Sequence, residues 1–357
     1  MMNHQKYFYF IDVLRWIAAM GILIHHYIAY FPIKISDVEN SKILSFVVDN
    51  SIIGSYGVWF FWSVSGFVFA NILINSKTTL FEFSIKRFAR LYPLHFLTLI
   101  IITILEFYSL SKFGNFQKQG DVYDLYHFIL HLFFISEWGL QNGSSFNSAI
   151  WSVSIEIPVY FAFFYLIRFF YKNILIYVFV FLIVFKLLLH TDLFHYVLKS
   201  CFFYFLFGAF VYFFCLKFEK YNKFFIILSI IGLLSWPIFY NLEKLDYLKN
   251  LENLIPTTLI LFGSAISFSF FIEKYYTKLG KKLSFLGNSS YAIYLTHLPI
   301  QVLILILFNM DFFEIQLFFS LTSFISYLII VNVISVITFY YFENPIRRKI
   351  NLIHKKY

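Results

Sequence analysis

Stretches of about twenty predominantly apolar residues recur along the chain, near residues 8–30, 52–75, 91–108, 150–170, 174–190, 198–216, 224–240, 254–272, 288–308 and 315–341. A hydrocarbon core of about 30 Å needs about 20 such residues per helix, and a helix satisfies every backbone amide within its own segment. The chain is therefore read as an all-α integral membrane protein, a bundle of about ten transmembrane helices. Composition agrees: 60% of residues are hydrophobic, 24% aromatic and only 13% charged, with a mean hydropathy of +0.75, far from the balance of a soluble domain. The first run already holds Asp12 and Arg15 and no small-residue cleavage site follows it, so it is expected to stay as an uncleaved span. Segment 122–138, VYDLYHFILHLFFISEW, is short and His-bearing, and is read as an interfacial or re-entrant helix.

Placing the N-terminus in the cytoplasm brings the C-terminus back to it after ten spans, and the basic residues then sort by side. Inside fall Lys6; Lys77, Lys86, Arg87 and Arg90; Arg168 and Lys172; Lys217, Lys220 and Lys223; Lys274, Lys278, Lys281 and Lys282; and Arg347, Arg348, Lys349, Lys355 and Lys356. The outer loops hold fewer, Lys34, Lys42, Lys112, Lys118, Lys199, Lys244 and Lys249, among acidic residues such as Asp37, Glu39, Asp49, Asp121, Asp124, Glu137, Asp246 and Glu252. The formal net charge of +9 is thus a topology signal and not a nucleic-acid footprint. Cys201 and Cys215 share one apolar run and read as helix packing. Without a linker, repeat or low-complexity block, the expectation is one membrane domain over 1–357 (core 8–345) with no appended soluble domain.

An ionisable side chain inside a span costs a few kcal/mol on insertion scales and usually faces a bundle interior or a wet cavity. The first span, IDVLRWIAAMGILIHHY, holds four. At about 100° per residue, the eleven positions from Arg15 to His26 overshoot three turns by only about 20°, so the two share a face. Asp12 falls within about 40° of His26, whereas His25 is turned from Arg15 by about 80°. The polar stripe is Asp12, Arg15 and His26, suited to an anion at the inner end and an imidazole base about 16 Å further along. The plainer alternative is an Asp12–Arg15 pair near the interface with histidines hydrogen-bonding between helices.

Three further spans carry such groups. Arg87 and Arg90, three apart in SIKRFARLYPLH, make a paired guanidinium site suited to phosphate or pyrophosphate, or simply a positive-inside anchor. In WSVSIEIPVYF, Trp151 reads as an interfacial belt residue, while Glu156 at lipid depth is protonated or matched with a cation. SSYAIYLTHLPI sets Tyr291, Tyr294 and His297 at i, i+3 and i+6. Near the C-terminus, Glu343 stands four residues before Arg347 and within reach of a salt bridge. No tight ligand spacing supports a metal site, and no GxSxG elbow, Walker loop or GxGxxG occurs.

These motifs, together with GVWFFWSVSGFVFA, RFARLYP and FENPIRR, resemble in order and interval those of the membrane acyltransferase-3 family, over essentially the whole chain from Asp12 to Arg348. The resemblance implies a ten-helix bundle that moves an acyl group, commonly acetyl from acetyl-CoA, onto a hydroxyl of a cell-envelope carbohydrate. The family's first-helix arginine and histidine, ten residues apart, fall on Arg15 and His26 and pass over His25. Its arginine pair falls on Arg87 and Arg90, and its Phe-Phe-x-x-Ser-Gly-Phe pattern on Phe60, Phe61, Ser65 and Gly66, shifted by one residue. The Trp-Ser and Glu elements fall on Trp151, Ser152 and Glu156, and the last elements on Ser290, Tyr291, Tyr294 and His297. Trp16 replaces a usual glycine.

By that resemblance His26 is the general base, oriented by a carboxylate such as Glu156, with an acyl-histidine as the less favoured version. Arg15, Arg87 and Arg90 hold the phosphates of acyl-CoA from the cytoplasmic side. Asp12, Ser65, Trp151, Tyr294 and His297 contact the acceptor or the oxyanion. The expected partners are acyl-CoA, a glycan or lipid-linked sugar (lipopolysaccharide among the candidates) and membrane lipid, with no metal and no nucleic acid, in a bacterial inner membrane. The competing class is a polysaccharide or solute permease using the same charges as a pathway.

Overall fold

The structure, a computed structural model, describes residues 7–31, 42–49, 52–74, 76–118, 122–244, 256–314 and 320–354. The expected loop residues Lys34, Asp37, Glu39, Asp121, Asp246, Lys249 and Glu252, and terminal Lys6, Lys355 and Lys356, lie outside them. The regular structure of the described residues is helical, without strands: α1 (Tyr9–Tyr30), α2 (Lys42–Asp49), α3 (Ile52–Ile74), α4 (Leu80–Phe113), α5 (Leu125–Leu132), α6 (Trp151–Phe169), α7 (Ile174–Leu188), α8 (Tyr196–Lys217), α9 (Asn222–Lys244), α10 (Pro256–Asn288), α11 (Ser290–Asn309), α12 (Leu321–Thr338) and α13 (Asn344–His354).

Among the described residues, nine helical runs are long and apolar enough to cross a membrane. One of them, Thr258–Asn309, is 52 residues long and holds both α10 and α11, so the ten expected spans correspond to α1, α3, α4 and α6 to α12. The runs differ in how much apolar surface they leave outside. On α7 the exposed side chains include Ile176, Phe179, Val180, Ile183 and Leu187, and on α9 Phe224, Ile227, Leu228, Ile231 and Leu234. Such faces are stable only against hydrocarbon.

Local sequence explains several boundaries. Thr79 accepts from the Glu82 amide while Glu82 accepts from the Thr79 amide, a capping box that starts α4, and Gly114 at φ 77° ends it. At 34 residues α4 is about 50 Å long, more than a 30 Å core requires, and it begins eleven residues before the expected span near residue 91. Eight residues of α5 cover about 12 Å and do not cross. The basic stretch around Lys278, Lys281 and Lys282, expected as a loop, is helical and follows a kink at Tyr276 (φ −127°, ψ 31°) within α10.

The helices divide into two compact units interleaved along the chain. The first comprises Met1–Ala18, Val58–Lys77 and Glu156–Gly287. Within it α3 and α8 approach so closely that a Cβ at Gly66 would meet the Phe205 carbonyl, and one at Gly208 the Ser63 carbonyl. Small residues let backbones touch where lipid supplies no hydrophobic drive between helices. Phe8 packs on Phe67 and Phe270, and Trp59 stacks on Tyr204 at 5.3 Å. The buried Glu273 accepts from the Phe10 amide at 3.0 Å, placing a carboxylate on the positive end of α1.

The second unit comprises Ala19–Gly57, Thr78–Ile155 and Asn288–Tyr357. Its axis is α11, in which every residue from Ser290 to Pro299 is buried. Thr296 shares a hydrogen bond with Ser335 of α12 at 2.9 Å, and the Tyr291 hydroxyl donates to the Leu91 carbonyl of α4 at 2.8 Å. Tyr27 packs on Phe31, Phe324 and Tyr327. Gly54 of α3 sits against Gly21 and the Cβ of His25, where a side chain would collide with both.

Candidate functional site: a polar cleft beside paired histidines

Within the second unit, α1 and α11 bring together two imidazoles separated by most of the sequence. His26 Nδ1 lies 2.6 Å from His297 Nε2, and the rings stack with centroids 4.9 Å apart. His297 is fully buried, and its Nδ1 lies 3.1 Å from the Ile293 carbonyl. A carbonyl oxygen only accepts, so Nδ1 of His297 carries the proton; in the neutral ring Nε2 is then the acceptor. His26 must therefore donate from Nδ1, which leaves its Nε2 with a lone pair. The chain of bonds fixes both tautomers and makes Nε2 of His26 the basic atom. His25, one residue earlier, packs at Gly54 instead.

His26 lines an open cleft of about 180 Å³ together with Tyr30, His131, Ser136, Glu137, Gln141, Ser144, Ser148, Ala149 and Trp151. Hydroxyl, amide and carboxylate groups around one indole are a lining suited to a polyhydroxylated ligand. The wall from 131 to 151 is held by its own hydrogen bonds. Asn147 Nδ2 donates to the Leu295 carbonyl at 3.0 Å, the Tyr294 hydroxyl donates to the Ala149 carbonyl at 2.5 Å, and Tyr294 and Ser152 hydroxyls lie 2.7 Å apart. With the Tyr294 proton given to Ala149, Ser152 is the donor to Tyr294. These bonds fasten the start of α6, with Trp151, onto α11.

His131 was placed by sequence only within an interfacial helix, yet it faces the same cleft. Ser145 bonds to its Nε2 at 2.8 Å, and its backbone carbonyl lies 2.8 Å from His95 Nε2. Burial, and then the neighbouring His95, push its imidazole down to about 3. Lys118, expected as an ordinary loop cation, is buried; its ammonium donates to Ser148 at 2.7 Å and sits 5.2 Å above the Tyr30 ring. Periodic counting could not have found either residue, because Lys118 lies in irregular chain after α4 and His131 sits on a helix of only eight residues. The signal available was the density of His, Ser, Gln and Asn between 127 and 148.

At the other end of α4, Arg90 pairs with the fully buried Glu343 and lies 5.4 Å over the Tyr291 ring. The expected Glu343–Arg347 bridge is replaced: Arg347 instead donates to Asn344 at 3.0 Å. The π-helical turn over Phe339–Glu343 ends at Glu343 and rotates it relative to α12, while Glu343 itself is buried against Arg90. Arg87 is half-buried, 5.9 Å from the Phe83 ring.

The first unit holds the remaining sequence candidates. Asp12 is buried, accepts from the Tyr7 hydroxyl at 2.5 Å and stands 3.8 Å from Arg15, whose side chain is partly exposed. Burial, then the Asp12 carboxylate, raise the Tyr7 phenol above its ordinary range. Ser65 is half-buried on α3, and Glu156 is buried on α6.

A family described as an acyltransferase domain (acyltransferase 3) matches residues 8–340. The acyltransferase MdmB of Streptomyces mycarofaciens is 30% identical over 152 residues, 42% of this chain. The match spans 36% of that protein's own length. No solved structure matches the chain.

Proposed function

The chain belongs to the acyltransferase-3 family, and from that premise we propose that it is a multi-pass membrane O-acyltransferase carrying an acyl group, acetyl in the first instance, from cytoplasmic acyl-CoA to a hydroxyl of a cell-envelope carbohydrate. Both termini are cytoplasmic in this reading and the membrane is a bacterial inner membrane, as the basic inner loops suggest. The observation that carries the reading is His26: an imidazole with its Nδ1 proton committed to His297, lining a cleft of hydroxyl, amide and carboxylate groups.

A sugar hydroxyl is a poor nucleophile until a base takes its proton. As the hydroxyl oxygen attacks the thioester carbonyl, its proton passes to His26 Nε2, and His297 spreads the charge that develops on the ring. Collapse of the tetrahedral intermediate breaks the C–S bond, and the CoA thiolate recovers the proton. Trp151 offers a face for a sugar ring, with Gln141, Glu137 and Ser144 for its hydroxyls. For the CoA phosphates Arg87 offers a partly exposed guanidinium within the second unit, while Arg90 holds the start of α4 through Glu343; Arg15 keeps the phosphate role that the family resemblance gives it. Asp12, Ser65 and Glu156 keep the roles that the family resemblance gives them.

The test is radiolabelled acetyl-CoA supplied to inverted membrane vesicles from cells with and without the protein. Label should appear on envelope carbohydrate only with the protein. Absence of acetyl-CoA binding and of labelled carbohydrate, with solute flux across the vesicles instead, would establish the permease reading.

A further inference from the structure

Next to the histidine pair stands a second polar assembly, which reaches the cleft through Ser148 and Tyr30. Lys118 is buried at 7% exposure and its ammonium donates to Ser148 Oγ at 2.7 Å. The backbone just before it is fixed, because the Gln117 amide donates to the buried Glu106 carboxylate at 2.8 Å. Tyr30 joins the two assemblies: its ring lies under the Lys118 ammonium at 5.2 Å and edge-on to His26 at 5.3 Å, with its hydroxyl 3.5 Å from Ser148 Oγ. An ammonium has donors and no acceptor, so Ser148 Oγ must accept from Lys118. Its own O–H is then left to donate; the Tyr30 hydroxyl at 3.5 Å is at the limit of hydrogen-bond reach, and Ser148 lines the cleft with His26.

The geometry points to Ser148 as the hydrogen-bond donor that stabilises the oxyanion of the acyl transfer, with Lys118 as the positioning residue that holds and polarises its hydroxyl; the inference rests on the acyltransferase reading of this cleft. When the acceptor oxygen bonds to the thioester carbon and its proton moves to His26, the carbonyl electron pair moves onto oxygen. That oxygen then accepts from Ser148 O–H, whose dipole is strengthened by the adjacent positive charge. When the intermediate collapses, the electrons return to the carbonyl, the C–S bond breaks, and the thiolate takes the proton from His26. A donor already oriented in a site partly closed to water costs no reorganisation during the reaction.

The experiment compares the full-length protein with Ser148→Ala, Ser148→Thr, Lys118→Met, Lys118→Arg, the Ser148→Ala/Lys118→Met double variant and His26→Ala, using labelled acetyl-CoA in membrane vesicles. Thermal melting confirms that each is folded. Loss of one oxyanion donor lowers turnover by about 10²–10³-fold, so Ser148→Ala should show that loss at saturating acetyl-CoA with KM for acetyl-CoA unchanged. Ser148→Thr, which keeps the hydroxyl, should recover most of it. Lys118→Met should act through the same step, so the double variant should be no worse than Ser148→Ala alone, and Lys118→Arg should restore part of the rate. Near-wild-type turnover in Ser148→Ala, with His26→Ala inactive, would overturn the oxyanion assignment and leave the acyltransferase reading standing; should Lys118→Met fail to fold, the Ala and Thr variants at 148 decide alone. A wild type that transfers no label would instead fault the acetyl-CoA reading.

Discussion

His26 Nδ1 stands 2.6 Å from His297 Nε2, and the other nitrogen of His297 is held by the Ile293 carbonyl at 3.1 Å. Two rings and one carbonyl thus set a single direction for the proton, away from His26 Nε2. Within this unit the group that orients His26 is the His297 imidazole. A neutral partner holds the tautomer with less electrostatic stabilisation of the imidazolium than a carboxylate gives, which leaves more of the stabilisation to the rest of the site.

His297→Ala should therefore lower turnover by about 10²–10⁴-fold, the range of general acid–base contributions, with little change in KM for acetyl-CoA. Steady-state transfer over a range of acetyl-CoA concentrations separates the two constants. A rise in KM with full turnover would assign His297 to donor binding.

The fold was legible to the extent that it rests on period and length. Apolar runs gave the spans because hydrocarbon demands them, and the about 100° step per residue put His26 and His25 on different faces. Long-range pairs were not legible: nothing local marks His297 as the partner of His26, or Glu273 as the carboxylate at the start of α1. Around the cleft, Lys118 lies in irregular chain and Ser148 in a single 3-10 turn, where side-chain direction has no period to count, and His131 sits on a helix of only eight residues. Glu343 was illegible for the same reason as the other long-range pairs, because its partner Arg90 lies on α4, far away in sequence.

The Arg90–Glu343 pair gives a prediction about stability. Breaking one partner of a buried ion pair costs about 3–5 kcal/mol, so Glu343→Gln should markedly lower the melting temperature in detergent. Arg87→Ala, by contrast, should melt like the wild type and raise KM for acetyl-CoA. Equal melting temperatures for Glu343→Gln and the wild type would show that the pair contributes little.

Packing of α1 on α3 gives a second. A side chain at Gly54 would run into the Gly21 backbone and the Cβ of His25. Overpacking of this kind costs about 1–3 kcal/mol, so Gly54→Val should lower the melting temperature even though position 54 does not line the cleft. A fluorescence-detected thermal melt reads this directly, and an unchanged transition would contradict the close approach.

Acid should weaken the cleft wall. Burial holds the His131 imidazole down to about 3, against about 6.5 in an unfolded chain. Between those values the unfolded state binds more protons than the folded one, so the stability present above pH 6.5 declines as pH falls toward 3. His131→Gln should flatten that part of the melting profile while leaving the value at pH 7.5 less affected. An identical slope with and without the imidazole would assign the acid sensitivity to other groups.

The most direct measurement of the account is acetyl transfer from labelled acetyl-CoA in vesicles carrying His26→Ala beside His25→Ala. Loss of transfer in the first and substantial transfer in the second is the predicted result. Full activity of His26→Ala, or equal loss in both, would contradict it.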